Sequence, residues 1–273
     1  MTHSVDLYDT TYGDFETIAR RRVRRETYGE DVGQNGWLTA EELRQFVGWL
    51  GLTSHSHLLE VGSGSGGPAL FLAELTGARM TGIDINGHAI AAANKMARER
   101  DLDSLAHFVQ ADAGVSLPFD DEAFDAVMCI DAINHLPSRS RVLTDWYRVL
   151  KTGGSVLFTD PIIVTGLISN EEIAIRSSIG YFLFTPPGEN ERLLREAGFK
   201  LGRTEDVTEN AAQVAERWHE ARFRHQEALV SLEGAATFEG LQRFLVTTRV
   251  LASERRLSRY VFLARKFRES SCR

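Results

Sequence analysis

An apolar run, Leu58-Leu59-Glu60-Val61, stops at Gly62-Ser63-Gly64-Ser65-Gly66-Gly67-Pro68, and the chain resumes with Ala69, Leu70, Leu72, Ala73 and Leu75 in helical spacing. The pattern predicts a strand, a tight turn and a helix. Such a turn needs glycine because a Cβ would obstruct both the reversal and the approach of a ligand to the backbone, while the helix start offers unpaired N–H groups. The stretch therefore reads as a cradle for a nucleotide or nucleoside.

Gly62, Gly64 and Gly67 satisfy the dinucleotide pattern GxGxxG, with Asp84 at the end of the next predicted strand, which leaves an NAD-dependent oxidoreductase open. Glu60 adds a second constraint, because Glu60-x-Gly62-x-Gly64-x-Gly66 resembles the signature of the class I S-adenosylmethionine (SAM) dependent methyltransferases. That resemblance implies a cofactor set. Glu60 would help hold the amino acid end of SAM, Gly62, Ser63, Gly64 and Gly66 would make room for it, and Asp84, with Ile85 beside it, would take the ribose hydroxyls. A carboxylate just beyond a strand end can accept two hydrogen bonds from vicinal hydroxyls. Asp84 is also placed to cap the helix that starts near Asn86.

The resemblance extends along the chain. A third strand, His107 to Gln110, delivers Asp112 and Ala113, which in the family bond the adenine amino group and lie against the ring edge. A fourth, nearly continuous apolar run from Phe124 reads as a strand buried on both faces and ends at Asp131-Ala132-Ile133-Asn134-His135. Asp131 joins the expected cofactor set. Open α/β sheets place ligands outside the strands' carboxyl ends, so His135 is a candidate general base and Asn134 a residue that positions a reactant. His135 could equally be packed under the cap with its ring bonded to backbone. The Asn/Asp-Pro-Pro-Tyr/Phe sequence of methyltransferases acting on DNA bases or glutamine is absent here, which points toward other substrates.

Further on, Arg139 to Leu150 reads as a helix, Lys151 to Gly154 as a turn and Ser155 to Asp160 as a fifth strand. Tyr147-x-x-x-Lys151 matches the catalytic pair of short-chain dehydrogenases. We read both residues as structural, since the cation faces a helix C-terminus.

The 273 residues have a net charge of −7, which argues against a nucleic-acid or anionic-membrane footprint and favours a small-molecule acceptor. Cys129 and Cys272 form no disulfide framework, and the N-terminus lacks a signal pattern, so a cytoplasmic protein without a membrane span is expected. No metal-ligand spacing stands out among the eight histidines.

Four segments follow: an N-terminal cap segment and helix (1–50), a SAM-binding core (51–207, with a cap loop at 161–190), a helical insertion (208–256), and a last strand and tail (257–273). Thr39 is the expected N-cap of a helix to Leu50, with Glu42 as its capping-box partner. Residues 31 to 38 form a loop that either folds over the SAM pocket or belongs to a surface arm. The basic run Arg20 to Arg25 is expected to be a solvated helix face. The insertion reads as a helical hairpin that either caps the site or forms a homodimer interface.

The resemblance implies a Rossmann-like α/β fold, with a seven-stranded, mostly parallel sheet, its final strand antiparallel and helices on both faces. It also implies methyl transfer from SAM, yielding S-adenosylhomocysteine, to a nitrogen or oxygen of a small molecule, without a metal. The glycine/sarcosine, phosphoethanolamine and ubiquinone-type methyltransferases share this layout. Tyr8, Tyr12, Tyr28, Trp37 and Tyr181 are the expected substrate-side aromatics, suited to an amine through cation–π contact or to a flat phenolic or quinone-like acceptor. A SAM-binding protein without catalysis, presenting its long helices to a partner, remains the other alternative.

Overall fold

The computed structural model describes residues 12–267, so Tyr8 and Cys272 lie outside the described residues. The strands are β1 (His57–Val61), β2 (Arg79–Asp84), β3 (Ala106–Gln110), β4 (Phe124–Cys129), β5 (Leu150–Val164), β6 (Phe199–Asp206) and β7 (Leu257–Lys266). They form one sheet in the order β3-β2-β1-β4-β5-β7-β6. The five strands from β3 to β5 run parallel, and β7 is antiparallel to both β5 and β6.

Alternation of side chains along the strands explains why both sheet faces are covered. Leu58, Ala126, Met128 and Leu157 enter one apolar cluster, while their neighbours Leu59, Val127, Cys129 and Phe158 enter another. The first is closed by α2 (Ala40–Leu50), α3 (Gly67–Thr76) and α4 (Gly87–Glu99) through residues such as Phe46, Leu70 and Ala93. The second is closed by α5 (Arg139–Val149) and α7 (Glu189–Glu196) through Trp146 and Leu194. Between them, α6 (Asn170–Arg176) starts at Ser169, whose side chain and Glu172 form a reciprocal capping box.

Three details differ from the sequence reading. First, β5 begins at Leu150, so Lys151 to Gly154 lie within the strand, where the pairing with β4 shifts register, and not in a separate turn. Lys151 binds Asp125 at 2.9 Å and Tyr147 packs edge-on against Phe199, which gives both residues structural partners. Second, the insertion holds three helices instead of a hairpin: α8 (Thr208–Arg224), α9 (Gln226–Glu233) and α10 (Ala235–Ser253). They pack on α1 (Ile18–Tyr28) through Val23, Ala221, Leu229 and Phe238.

Third, the basic run on α1 is not a uniformly solvated face. Arg20, Val23, Arg24, Thr27 and Tyr28 are buried at three- and four-residue spacing, and Arg21, Arg22, Arg25 and Glu26 between them face solvent. Arg24 is neutralised by Glu16 and Asp31 and donates to the Phe15 carbonyl. Among the described residues, no helix is long and apolar enough to cross a membrane.

Candidate active site

The β1–α3 turn holds Gly62, Gly64 and Gly66 at φ +72°, +52° and +79°. At Gly66 a Cβ would lie 2.6 Å from the Phe108 ring and 2.8 Å from the Ala93 Cβ, so the positive φ and the close packing both demand glycine. The turn opens into a pocket of about 410 Å³ counting its open mouth, walled by Glu60, Gly62, Ser63, Gly64 and Ser65 on one side and by the Gly33 to Gly36 loop on the other. That loop sits backbone against backbone on the start of α3: a Cβ on Gly67 would meet the Val32 carbonyl oxygen at 2.3 Å. Tyr12, expected beside the substrate, lies in this pocket with its hydroxyl against Gly64.

The pocket contains polar groups suited to the amino acid end of an adenosyl donor. Glu60 is buried, and among the described residues its Oε2 has no hydrogen-bond partner; Ser63 Oγ is likewise buried and without a partner among them. Burial raises the Glu60 carboxyl to about 8, opposed by a hydrogen bond from the Ala69 N–H at the start of α3. An ammonium placed there would reverse that shift and occupy the orphaned oxygen. On these observations the residues fit SAM.

Asp84 and Asp112 emerge from adjacent parallel strands on the same edge of the sheet. Asp84 pairs with Gln110 in register, and its carbonyl accepts from Ala111 N–H at 3.0 Å. The Asp84 carboxylate accepts from Gly64 N–H and Asn86 N–H, both at 2.9 Å, which ties the strand end to the glycine turn. Helix α4 is capped by Asn86, whose side chain accepts from Ala89 N–H, so Asp84 is not itself the cap. Burial raises the Asp84 pKa, and the Asn86 and Gly64 N–H bonds lower it. Asp112 is exposed and accepts from Gly114 N–H at 2.7 Å, with Ala113 buried behind it and Ile85 exposed beside Asp84.

Asp131, expected among the cofactor ligands, has a different set of partners. Its Oδ1 accepts from Arg259 Nε and Thr159 Oγ1, both at 2.7 Å, and its Oδ2 accepts from Trp37 N–H at 2.9 Å. The carboxylate thus fastens the N-terminal loop and β7 to the end of β4. Arg259 also donates through Nη1 to Glu42 at 2.6 Å. Glu42 is consequently turned inward, away from the capping-box position, although Thr39 does accept from the Glu42 N–H.

A second cavity, of about 940 Å³ counting its open mouth, adjoins the glycine pocket and shares Asn35 and Gly36 with it. Its floor is formed by Asp131, Asn134, His135 and Pro161 at the strand ends, and its walls by α1, α6 and the helices of the insertion. His135 Nδ1 lies 2.8 Å from the Tyr181 carbonyl oxygen, which can only accept, so this nitrogen carries the proton. Nε2 then holds the lone pair and takes a 3.2 Å hydrogen bond from the Asn134 amide. Burial lowers the His135 pKa, only partly offset by the Tyr181 bond, and the ring is neutral at pH 7. Asn134 is fully buried and orients the imidazole.

The expected substrate aromatics divide. Trp37 lines the cavity and stacks on Phe244 with centroids 6.2 Å apart. Tyr28 is buried against Trp218 and donates its hydroxyl to the Gly36 carbonyl, so it supports the loop and does not face the acceptor. Tyr181 is 57% exposed and contributes its carbonyl to His135, not its ring to the cavity. Sequence reasoning missed Arg176 of α6. Its guanidinium lies 4.4 Å from the Phe244 ring centroid, 5.6 Å from Phe182 and 5.9 Å from Trp37, occupying the aromatic faces that would have received a cationic substrate.

Residues 59–158 match the family described as "Methyltransferase domain". A 27-O-demethylrifamycin SV methyltransferase from Amycolatopsis mediterranei is 30% identical over 257 residues, covering 88% of this chain and 92% of that protein. A sterol 24-C-methyltransferase from Schizosaccharomyces pombe is 30% identical over 76% of this chain and 54% of its own length. Among solved structures, a phosphoethanolamine N-methyltransferase from Haemonchus contortus, with phosphomonomethylethanolamine and S-adenosylhomocysteine bound, superposes with a TM-score of 0.79 at 20% identity, over 97% of this chain and 61% of that one. At that identity the likeness concerns the fold.

Proposed function

Because this chain belongs to the SAM-dependent methyltransferases that act on small molecules, we propose that it transfers a methyl group to a hydroxyl oxygen, with His135 as the base. When bound, SAM supplies a methyl already activated on a sulfonium, so the protein's work is alignment, exclusion of water and management of one proton. Glu60, Ser63 and the turn backbone would hold the amino acid end of the donor, Asp84 the ribose, and Asp112, Ala113 and Ile85 the adenine.

The observation that carries the choice of oxygen is the state of His135. A neutral imidazole, with Nδ1–H held by the Tyr181 carbonyl and its lone pair on Nε2, can accept the proton that a hydroxyl loses on methylation once that hydroxyl takes the place of the Asn134 amide, 3.2 Å away, at Nε2. Asn134 keeps the ring in that tautomer and orientation. An amine would have to arrive as a cation beside Arg176, already seated on the aromatic faces, and like charge disfavours that. The relatives include a protein named for a 27-O-demethylated acceptor and one named for methylation at carbon, so the acceptor atom rests on the site and not on kinship.

Incubation with methyl-labelled SAM and a fractionated metabolite extract tests the proposal. The expected product is a methyl ether whose label is released by ether cleavage. Label found only in methylated amines, or at carbon, would overturn the oxygen assignment. Calorimetric titration in parallel should show binding of S-adenosylhomocysteine and none of NAD.

A further inference from the structure

In the part of the second cavity built by α1, α8 and α9, two arginines share one carboxylate. Arg20 Nη2 lies 3.3 Å from Glu233 Oε2, and Arg222 Nη2 donates to Glu233 Oε1. Both arginines line the cavity and are 9% and 3% exposed, while the Glu233 side chain is 1% exposed. Two cations and one anion leave a formal charge of +1, and among the described residues no other carboxylate pairs with either arginine.

Among the described residues, Arg20 Nε and Arg222 Nε are buried without a hydrogen-bond partner, and Glu233 Oε2, 3.3 Å from Arg20 Nη2, is held by charge alone. Removing charged donors from water and leaving them unbonded is costly, and an acceptor from outside the chain would remove that cost. The neighbouring Arg24 differs, since Glu16, Asp31 and the Phe15 carbonyl satisfy it. Beside the pair, Val23, Leu229 and Leu245 give the cavity apolar walls.

We propose that Arg20 and Arg222 form an anion subsite, and that the methyl acceptor is an apolar molecule bearing a carboxylate in addition to the hydroxyl that is methylated. A monoanion balances the +1 charge; a phosphate dianion would overshoot it. The carboxylate accepts from the two Nε–H groups and anchors the acceptor, leaving its hydroxyl to the His135 side. This assignment of substrate class rests on the methyltransferase reading above.

The test uses the full-length protein, with and without saturating S-adenosylhomocysteine, and matched probes: octanoate, octanamide, octylamine and octyl phosphate. Calorimetry should show octanoate binding at least about tenfold tighter than octanamide, as a charge-assisted contact requires, with octylamine weaker still and octyl phosphate no tighter than octanoate. Arg20→Gln leaves Arg222 and Glu233 as a balanced pair and should abolish the octanoate preference. Glu233→Gln raises the local charge and should strengthen it, whereas a purely structural cluster would be weakened by both changes. Equal binding of octanoate and octanamide overturns the subsite, as does tighter binding of octyl phosphate, or a preference that survives Arg20→Gln. Should Arg20→Gln not fold, the wild-type comparison and Glu233→Gln decide the matter. Failure to bind S-adenosylhomocysteine would instead count against the methyltransferase reading, and the octanoate comparison without it would still judge the subsite.

Discussion

Arg259 on β7 donates through Nε to Asp131 at the end of β4, 2.7 Å away and 128 residues distant in sequence. The same guanidinium holds Glu42 of α2, so one fully buried cation keeps two buried carboxylates in place. Replacing it by methionine leaves both acids without their cation. We expect Arg259→Met to lower stability by about 3–5 kcal/mol, the cost of breaking a buried ion pair from one side. Urea denaturation followed by tryptophan fluorescence measures this, and a loss below 1 kcal/mol would show that water replaces the arginine.

Glu60 makes the ligand-free protein sensitive to pH. Its carboxyl ionises near 4.5 when unfolded and at about 8 when folded, so between those values the folded state binds more protons than the unfolded state. The stability this provides is complete below pH 4.5 and is lost as pH rises to about 8. Glu60→Gln should flatten that slope in thermal melts across the window. Binding SAM at pH 7 should release a proton, seen as a dependence of the calorimetric heat on buffer ionisation enthalpy; a buffer-independent heat would remove Glu60 from contact with the ammonium.

For His135, burial depresses the pKa below 6.5, and the form proposed to act as base is the neutral ring. Turnover should therefore hold through neutral pH and fall on an acid limb lying below 6.5. His135→Ala should reduce kcat by about 10²- to 10⁴-fold, the usual contribution of a general base, with little change in donor affinity. The variant should also lose the acid limb. Unchanged turnover would assign the ring to packing on Phe182, whose centroid lies 4.6 Å away.

In the proposed function Asp84 serves the donor alone. Asp84→Ala removes a charged acceptor and the bond that holds Gly64, and should weaken S-adenosylhomocysteine binding roughly tenfold to a hundredfold. Calorimetry reads this directly. Asp84→Asn, which keeps one acceptor oxygen, should fall between the two.

The parts of the molecule that are local in sequence are legible there. The glycine turn, the strand-end acids Asp84 and Asp112, the alternation that buries β4 on both faces, and the capping of α2 by Thr39 each follow from residues within one or two turns of each other. What distance in sequence conceals is partnership. Glu42 has the spacing of a capping box, yet its carboxylate goes to Arg259, 217 residues away, where no local pattern could place it. Asp131 shares that fate. The aromatics divide for another reason: composition names Tyr12, Tyr28, Trp37 and Tyr181 without saying which way a ring points, and only Trp37 lines the second cavity, while the other three end in the glycine pocket, the core and solvent. The burial of Arg20 and Arg24 had a signal in their spacing with Val23, Thr27 and Tyr28, masked by the charges of Arg21, Arg22 and Arg25.

Asn35 and Gly36 form a partition with a chamber on either side. Whatever occupies one chamber presses on the boundary of the other, and Gly36 has no slack to absorb the pressure, being pinned by Tyr28 and lying against Asp131. With donor and acceptor in these two chambers, as proposed, their arrival and departure would be interlocked: a step that loosens the partition to let one molecule out would also unseat the floor on which the other must be aimed.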